Sequence, residues 1–268
     1  MTQYQLRAAE GTGLHMTRAA SRFGRFRKEA EKAVQNVEVK EDQALARLMG
    51  AFEKFDCAYP DQTLEVLEEP YAQACELLKG IAYTPQDVKK FCIALSAYDD
   101  RPEFPKKAGL FLSALVNCGP DIAYIIPTKH LSAPMHDFGY KNVKNVIIEG
   151  GIGECLGYGM AGGSIVVEGD AGDHPAHRMA GGLIIVEGNA GFGAGHLEGG
   201  ELVVKGNAGH ALGSMMEGGT IRLMGKPGKN IGGYMKAGEI HLDGELGEVS
   251  DCIGDGRIYH KGALIAGK

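Results

Sequence analysis

The amino-acid sequence predicts an α + β protein: a small helical domain at residues 1–120, then a right-handed parallel β-helix at residues 121–268. Two observations carry this prediction. Only seven of the 41 glycines lie in residues 1–130, and the remaining 34 make up about a quarter of the second half, which is far more than helices tolerate. A repeat of roughly 18–19 residues also runs through that second half, and a repeat of this kind is typical of a solenoid.

The first half of the chain contains residues that typically begin and end helices. Residues 70–80 begin with proline and end with glycine, and residues 105–119 do the same. The stretch TPQD at residues 84–87 is a capping box with proline at the first helical position, which opens a helix through about Tyr98. Residues 25–57 carry apolar side chains at mostly helical spacing. We therefore predict a small helical bundle.

One segment of the first half is strongly basic. Residues 17–28, TRAASRFGRFRK, contain five basic residues and no acidic one: Arg18, Arg22, Arg25, Arg27 and Lys28. We expect a solvated or partner-facing segment, and two alternatives stay open: RNA or phosphate contact, and docking on the acidic second domain. The net charge of −6 does not support bulk binding of nucleic acid.

The second half contains six copies of one template, aligned on glycines that recur at nearly constant intervals: Gly150, Gly169, Gly188, Gly206, Gly225 and Gly244. Each copy has a strand, Gly, two residues, Gly, a small residue and an apolar residue. We predict six coils whose strands stack in parallel about 4.8 Å apart, with glycines at the corners. A left-handed hexapeptide helix is disfavoured because no six-residue sub-period exists.

The glycines at residues 157, 159 and 162 spell G-x-G-x-x-G, the pattern of a dinucleotide-binding loop. Such a site needs a helix whose N-terminus faces the pyrophosphate. Here the loop leads directly into another predicted strand at residues 164–168, and the repeat is shorter than the roughly 30 residues of a βαβ unit. We therefore expect no bound cofactor.

Two columns of outward side chains are predicted on the stacked strands. The first is apolar in four coils, at Ile147, Val166, Ile185 and Val203, and polar afterwards. An apolar surface of this extent indicates that helices of the same chain or a partner cover it. The second column stacks Glu149, Glu168 and Glu187. Their repulsion should be relieved by a cation, a partner arginine or raised pKa values, and a functional carboxylate cluster is the alternative.

Candidate ligands and catalytic groups are few. His174, His177 and His196, with His210 nearby, fall in successive coils and are candidate metal ligands, although isolated histidines at corners are usually surface residues. The six cysteines are scattered without a C-x-x-C pair, which favours reduced, buried thiols. No G-x-S-x-G motif and no evident Cys–His pair occurs, so we predict no catalytic residue.

The repeat, beginning NVIIEGGIGECLGYGMAGGSIVVEGDAG, resembles the GXGXG domain at the C-terminus of the glutamate synthase large subunit. It is also similar to one subunit of formylmethanofuran dehydrogenase and of the related formyltransferase/hydrolase complex. The resemblance covers residues 123–262. It implies a right-handed β-helix that braces catalytic domains or joins a larger complex, and it transfers no catalytic residue. Residues 1–120 resemble no family known to us.

These observations lead to a functional expectation. We expect a non-catalytic structural or assembly protein whose β-helix is a rigid scaffold in a glutamate synthase-like or formylmethanofuran dehydrogenase-like complex. The alternative is an accessory subunit of an oxidoreductase or formyltransferase that contributes to an active site or a metal site. Partner subunits or a homo-oligomer are expected. The absence of a long apolar run and of a secretory signal predicts a cytoplasmic protein without membrane contact.

Overall fold

The computed structural model of the chain describes residues 43–57 and 64–267. Predictions that concern residues 1–42, including the basic segment at residues 17–28, lie outside this part of the chain. Within it, a helical region precedes a parallel β-solenoid of about seven turns. The predicted succession of a helical region and a parallel solenoid is confirmed, whereas the predicted number of coils is one too small.

The helices agree closely with the sequence signals. Residues 43–54 are helical (α1), and three further α-helices follow: Glu68–Leu78 (α2), Pro85–Ala94 (α3) and Phe104–Cys118 (α4). Short 3₁₀ segments, Leu64–Leu67 and Leu95–Ala97, precede α2 and follow α3. The capping box is confirmed, because the Thr84 hydroxyl accepts from the Asp87 amide and the Asp87 carboxylate accepts from the Thr84 amide at 2.9 Å.

Aromatic rings hold α1, α3 and α4 together. The ring of Phe52 packs edge-on against Phe91 and Phe111, with centroids 5.7 and 5.4 Å apart. Phe55, directly after α1, also contacts Phe111. All four rings are buried, and burial of a phenylalanine side chain contributes about 1.5–3 kcal/mol. Packing in this cluster accounts for Phe52 and Phe55 among the apolar residues at helical spacing in residues 25–57.

One nine-stranded sheet runs along the solenoid in the order β1-β2-β3-β4-β5-β6-β8-β10-β11. Its strands are Ala123–Pro127 (β1), Asn145–Glu149 (β2), Ser164–Val167 (β3), Leu183–Val186 (β4), Glu201–Val204 (β5), Thr220–Leu223 (β6), Glu239–Leu242 (β8), Arg257–His260 (β10) and Ala263–Ala266 (β11). Neighbours pair in parallel except β10 and β11. Lys229–Ile231 (β7) and Glu248–Val249 (β9) form a second, two-stranded parallel sheet.

Alternate side chains of each strand fill the solenoid. In β3, Ile165 and Val167 are fully buried, and their register partners in β4, Ile184 and Val186, are buried as well. The apolar residue that follows the glycine-rich corner is also fully buried in five successive coils: Met160, Met179, Leu197, Met216 and Met235. The predicted inward ladders are therefore confirmed.

The additional turn comes from β1. Ala123 pairs with Asn145, so this turn is longer than the later coils, and it lacks their glycine template. Its strand nonetheless continues the same inward pattern, because Tyr124 and Ile126 are buried. A search for the repeat cannot detect a coil whose length and corner residues differ from the others.

The corners require glycine for steric and conformational reasons. Gly163, immediately before β3, has a φ of +70°, and a Cβ at this position would overlap the carbonyl oxygen of Lys144 on the preceding coil. An L-residue with a side chain would suffer both strain and a clash there. The abundance of glycine therefore reflects close backbone stacking between coils.

The helices close the solenoid at its first turn. Helix α3 packs against β1, and α4 lies against residues 136–139, where the His136 amide donates to the Pro105 carbonyl at 2.8 Å. Gly109 of α4 permits this approach, because a Cβ there would overlap the carbonyl oxygen of His136. The hydrophobic core consequently runs without a break from the helices into the coils.

Side-chain amides add a second ladder along the coils. The Asp170 carboxylate accepts from the backbone amide and the side-chain amide of Asn189, at 2.6 and 3.0 Å. The side-chain Oδ1 of Asn189 then accepts from the Asn207 backbone amide at 2.9 Å, and Oδ1 of Asn207 accepts from the Lys226 backbone amide at 2.8 Å. These bonds satisfy backbone donors at a corner where the strands have ended.

Candidate functional site

The predicted apolar column lies in register on the outer face of the sheet. Ile147, Val166, Ile185 and Val203 are consecutive partners in β2 to β5; this set is called the apolar column below. Ile125 of β1 extends it by one coil. Ile147 is 42% exposed and Ile125 is 38% exposed, whereas the other three are half-buried. The helix packed on the sheet contacts it at β1, so coverage of the column by helices or a partner stays a prediction.

The predicted repulsion along the glutamate column is relieved by lysines. Glu149 pairs with Lys89 of α3 at 3.1 Å, and Glu168 pairs with Lys129 at 3.2 Å. Glu187 pairs with Lys205 of the next coil at 2.7 Å. Each pair is partly exposed, so each contributes at most about 1 kcal/mol. The expected partner arginine is replaced by lysines of the same chain, and the column has no unpaired carboxylate among these three.

The candidate histidines are brought together at one corner of the coils. The ring of His177 lies between its neighbours, with its centroid 6.1 Å from that of His174 and 4.6 Å from that of His196. Tyr158 of the preceding coil stacks on His177 at 5.7 Å. The row continues toward the helices through Tyr140, whose ring stacks on Tyr158 at 5.7 Å. Tyr140, Tyr158, His177 and His196 lie 18–19 residues apart, which is the spacing of the repeat. Aligning the copies on their glycines alone does not reveal this row.

Burial determines the protonation of His177 and His196. The pKa of His177 is lowered to about 4, mainly by burial and additionally by the neighbouring His196, His174 and Arg178. Burial likewise lowers the pKa of His196, against the attraction of nearby glutamates. Both imidazoles are therefore neutral at pH 7, which is the form that ligates metals.

Neutral imidazoles alone do not make a metal centre. Among residues 43–57 and 64–267, no group of three or more His, Cys, Asp or Glu side chains is arranged to hold a metal ion. The ring of His174 packs edge-on against Phe192 at 5.3 Å. His210 is engaged separately, because its Nδ1 accepts from the Lys229 amide at 2.9 Å. The contacts of the three clustered rings are thus mainly aromatic.

The stretch with the dinucleotide pattern forms a corner of the solenoid. Gly157 and Gly159 have φ values of +68° and +60°, and β3 begins at Ser164 without an intervening helix. The Gly157 amide donates to the Phe138 carbonyl at 2.8 Å, and the Gly159 amide donates to the His177 carbonyl at 3.0 Å. These donors are used within the fold and are not directed at a ligand.

The cysteines depart from the expectation of buried thiols. Cys92 is buried, but Cys118 and Cys252 are exposed, and Cys75 is half-buried. Cys75 of α2 and Cys118 of α4 lie beside each other with their sulfur atoms 3.2 Å apart. The sequence offered no signal for this pair, because the two residues are separated by 43 positions and belong to no spacing motif.

Comparison with known protein families, with curated proteins and with solved structures finds no significant match to this chain. A search of the described residues also finds no helix with the length and apolar character that crossing a membrane requires.

Proposed function

We propose that this chain is a non-catalytic structural or assembly protein whose β-solenoid is a rigid scaffold for partner subunits or for a second copy of itself. The observation that supports this proposal is the apolar column, which is held in strict register on the outer face of the sheet. A column of this kind places apolar side chains about 4.8 Å apart on a backbone that cannot rearrange freely. Such a surface suits a flat, preformed protein interface.

The resemblance to the GXGXG domain agrees with this role and remains part of the proposal. It would assign the chain to a glutamate synthase-like or formylmethanofuran dehydrogenase-like assembly, in which the β-helix braces other domains. We also propose that the coils are right-handed, because parallel crossover connections are right-handed in about 98% of cases.

The proposal is tested by changing the apolar column. We expect the protein purified from its native cell to form a complex of defined stoichiometry, measured by native mass spectrometry. The double substitution Ile147→Lys/Ile185→Lys should dissociate that complex. His241→Lys is the matched control, since His241 occupies the same outward column three strands further along and should leave the complex intact. A protein that is monomeric and carries no second subunit would contradict the scaffold role.

A second candidate function is an accessory subunit that contributes a metal or active site to a larger enzyme. The proximity of the His174, His177 and His196 rings favours this alternative. A partner subunit would have to complete the ligand set, because no group of three or more such side chains in the described residues is arranged to hold a metal ion. It predicts stoichiometric metal in the intact complex, measured by elemental analysis, and loss of that metal in His177→Ala. Absence of metal from the wild-type complex, together with unchanged activity of the variant complex, would exclude it.

A further inference from the structure

We propose that Cys75 and Cys118 form a reversible dithiol–disulfide pair that cross-links α2 to the end of α4 and so fixes the helices that close the solenoid. The two sulfur atoms are 3.2 Å apart. A disulfide bond requires about 2.05 Å, so a movement of about 1.2 Å would join them. This inference goes beyond the scaffold role, because it concerns the closed end and does not involve the apolar column.

Hydrogen bonds around the pair would carry the effect of a disulfide to the neighbouring elements. Asn117, next to Cys118, donates from Nδ2 to the Tyr71 hydroxyl of α2 and to the Tyr140 carbonyl of the first turn, both at 3.0 Å. The Tyr140 hydroxyl in turn donates to Glu68 of α2 at 2.9 Å. A cross-link between α2 and α4 would therefore hold three elements that already meet at this point.

The two thiols have different roles. Cys118 is exposed, and its hydrogen bond with Cys75 together with the positive charge of Lys144 lowers the pKa of the Cys118 thiol to about 7. The same hydrogen bond, together with burial, raises the pKa of Cys75. Cys118 is consequently the attacking thiolate and Cys75 is the resolving thiol.

The chemical step balances with a small disulfide such as oxidised glutathione as the oxidant. The Cys118 thiolate attacks one sulfur of the small disulfide, whose S–S bond breaks and releases a thiolate that takes up a proton. This first attack leaves a mixed disulfide between Cys118 and one half of the small molecule. Cys75 then loses its proton and attacks the Cys118 sulfur of the mixed disulfide, and the second small thiolate leaves and takes up a proton. In total, two protein thiols are oxidised to one disulfide and one small disulfide is reduced to two thiols.

The test uses the full chain in glutathione redox buffers, followed by thiol blocking and peptide mapping. We expect a Cys75–Cys118 linked peptide, loss of two hydrogen atoms from the intact mass, and reversal by dithiothreitol. Because the bond closes a 43-residue separation, oxidation should raise the melting temperature by about 5–10 °C. Cys118→Ser should abolish the linked peptide and the thermal shift, whereas Cys252→Ser, at another exposed cysteine, should retain both.

A kinetic measurement tests the hydrogen bond independently of oxidation. Alkylation of Cys118 by iodoacetamide at pH 7 should be several-fold faster than alkylation of Cys252. Cys75→Ala should remove this advantage, since the hydrogen-bond partner of Cys118 is lost, while circular dichroism verifies that the variant is folded. The proposal is overturned if Cys252 becomes glutathionylated in buffers that leave Cys75 and Cys118 unlinked, or if Cys75→Ala leaves the alkylation rate unchanged.

Discussion

The two ends of the solenoid are finished in different ways. At the first turn, α3 packs against β1, α4 lies against residues 136–139, and the apolar core of the coils continues into the helices. At the other end, β10 turns back into the short antiparallel strand β11, on which Leu264 and Ile265 are 51% and 40% exposed. The first end is closed by a folded layer of the same chain, whereas the second, within residues 43–57 and 64–267, ends at the edge strand β11.

This difference shows how the chain distributes its stability and its surfaces. A solenoid end exposes unpaired backbone groups and an open core, which must be covered. The helices cover the first end with buried aromatic side chains and specific hydrogen bonds. The hairpin only shields the last parallel strand and leaves apolar side chains in solvent. Substitutions at the first end should therefore cost much more stability than those at the second.

The largest effect is expected at the contact between α4 and the first turn. Gly109→Ala places a Cβ on the carbonyl oxygen of His136, so we expect a loss of about 3 kcal/mol or more in the free energy of unfolding. Gly50→Ala is the control, because no atom of the described part of the chain lies within 4 Å of a Cβ there, and alanine should stabilise that helix by up to about 1 kcal/mol. Urea denaturation compares the two. Equal effects would mean that α4 does not approach the coil closely.

A smaller effect is expected from the buried hydroxyl that joins the same two elements. The Ser113 hydroxyl accepts from the Gly139 amide and donates to the Gly109 carbonyl, both at 2.8 Å. Ser113→Ala leaves the buried amide without this acceptor, which should cost about 1–3 kcal/mol. Ser96→Ala removes an exposed hydroxyl of the 3₁₀ segment after α3 and should cost less than about 0.5 kcal/mol. If Ser113→Ala left the free energy of unfolding unchanged, the contact between α4 and the first turn would not be a main source of stability.

The middle of the solenoid should respond to pH independently of either end. The pKa of His177 is about 4 in the folded state against 6.5 for the free side chain. The unfolded chain therefore binds more protons between these values, so stability is full above pH 6.5 and falls as the pH drops toward 4. We expect a loss on the order of 1 kcal/mol after solvent screening.

The pH effect is measured by urea denaturation at pH 7 and pH 5. His177→Gln should reduce the difference in unfolding free energy between the two pH values, because glutamine does not titrate, and the lowered pKa of His196 should account for a smaller remaining difference. His210→Gln lies outside the cluster and should retain the wild-type difference. If both variants kept the full dependence on pH, another group would be responsible.

The smallest effect is expected at the hairpin end. Leu264→Lys changes a side chain that is already half in solvent, so the monomer should lose less than about 0.5 kcal/mol. The measurement is thermal unfolding at two protein concentrations. A large loss that depends on concentration would show that another molecule covers β11, and the contrast between the two ends would then disappear on assembly.

Structural features that have a local or repeated signal in the sequence were predicted correctly. The capping box at residues 84–87 determines the start of α3, because both hydrogen bonds join residues three positions apart. The alternation of Ile221, Arg222 and Leu223 predicts which side chains enter the core, since a strand has a period of two, and Ile221 and Leu223 are indeed buried. Recurrence of the same pattern in coil after coil then predicts parallel stacking of the strands.

Features without a repeated or local signature in the sequence were not predicted. The turn that contains β1 has a different length and lacks the glycine template, so the alignment of repeats did not reach it. The row of Tyr140, Tyr158, His177 and His196 changes residue type along its length, which hides it from an alignment based on glycine. The lysines that neutralise the glutamate column come partly from α3 and from the first turn, which no strand pattern can indicate.

The sequence by itself determined the helices, the strands of the glycine-containing repeat, the inward ladders and the position of the apolar column, because these depend on the period of the backbone and on neighbours in the chain. Only the tertiary structure decided that the helices close the first turn, that Lys89 and Lys129 neutralise the glutamate column, and that Cys75 lies beside Cys118. Each of these depends on the path of the chain through space, and that path brings together side chains whose spacing in the sequence carries no signal.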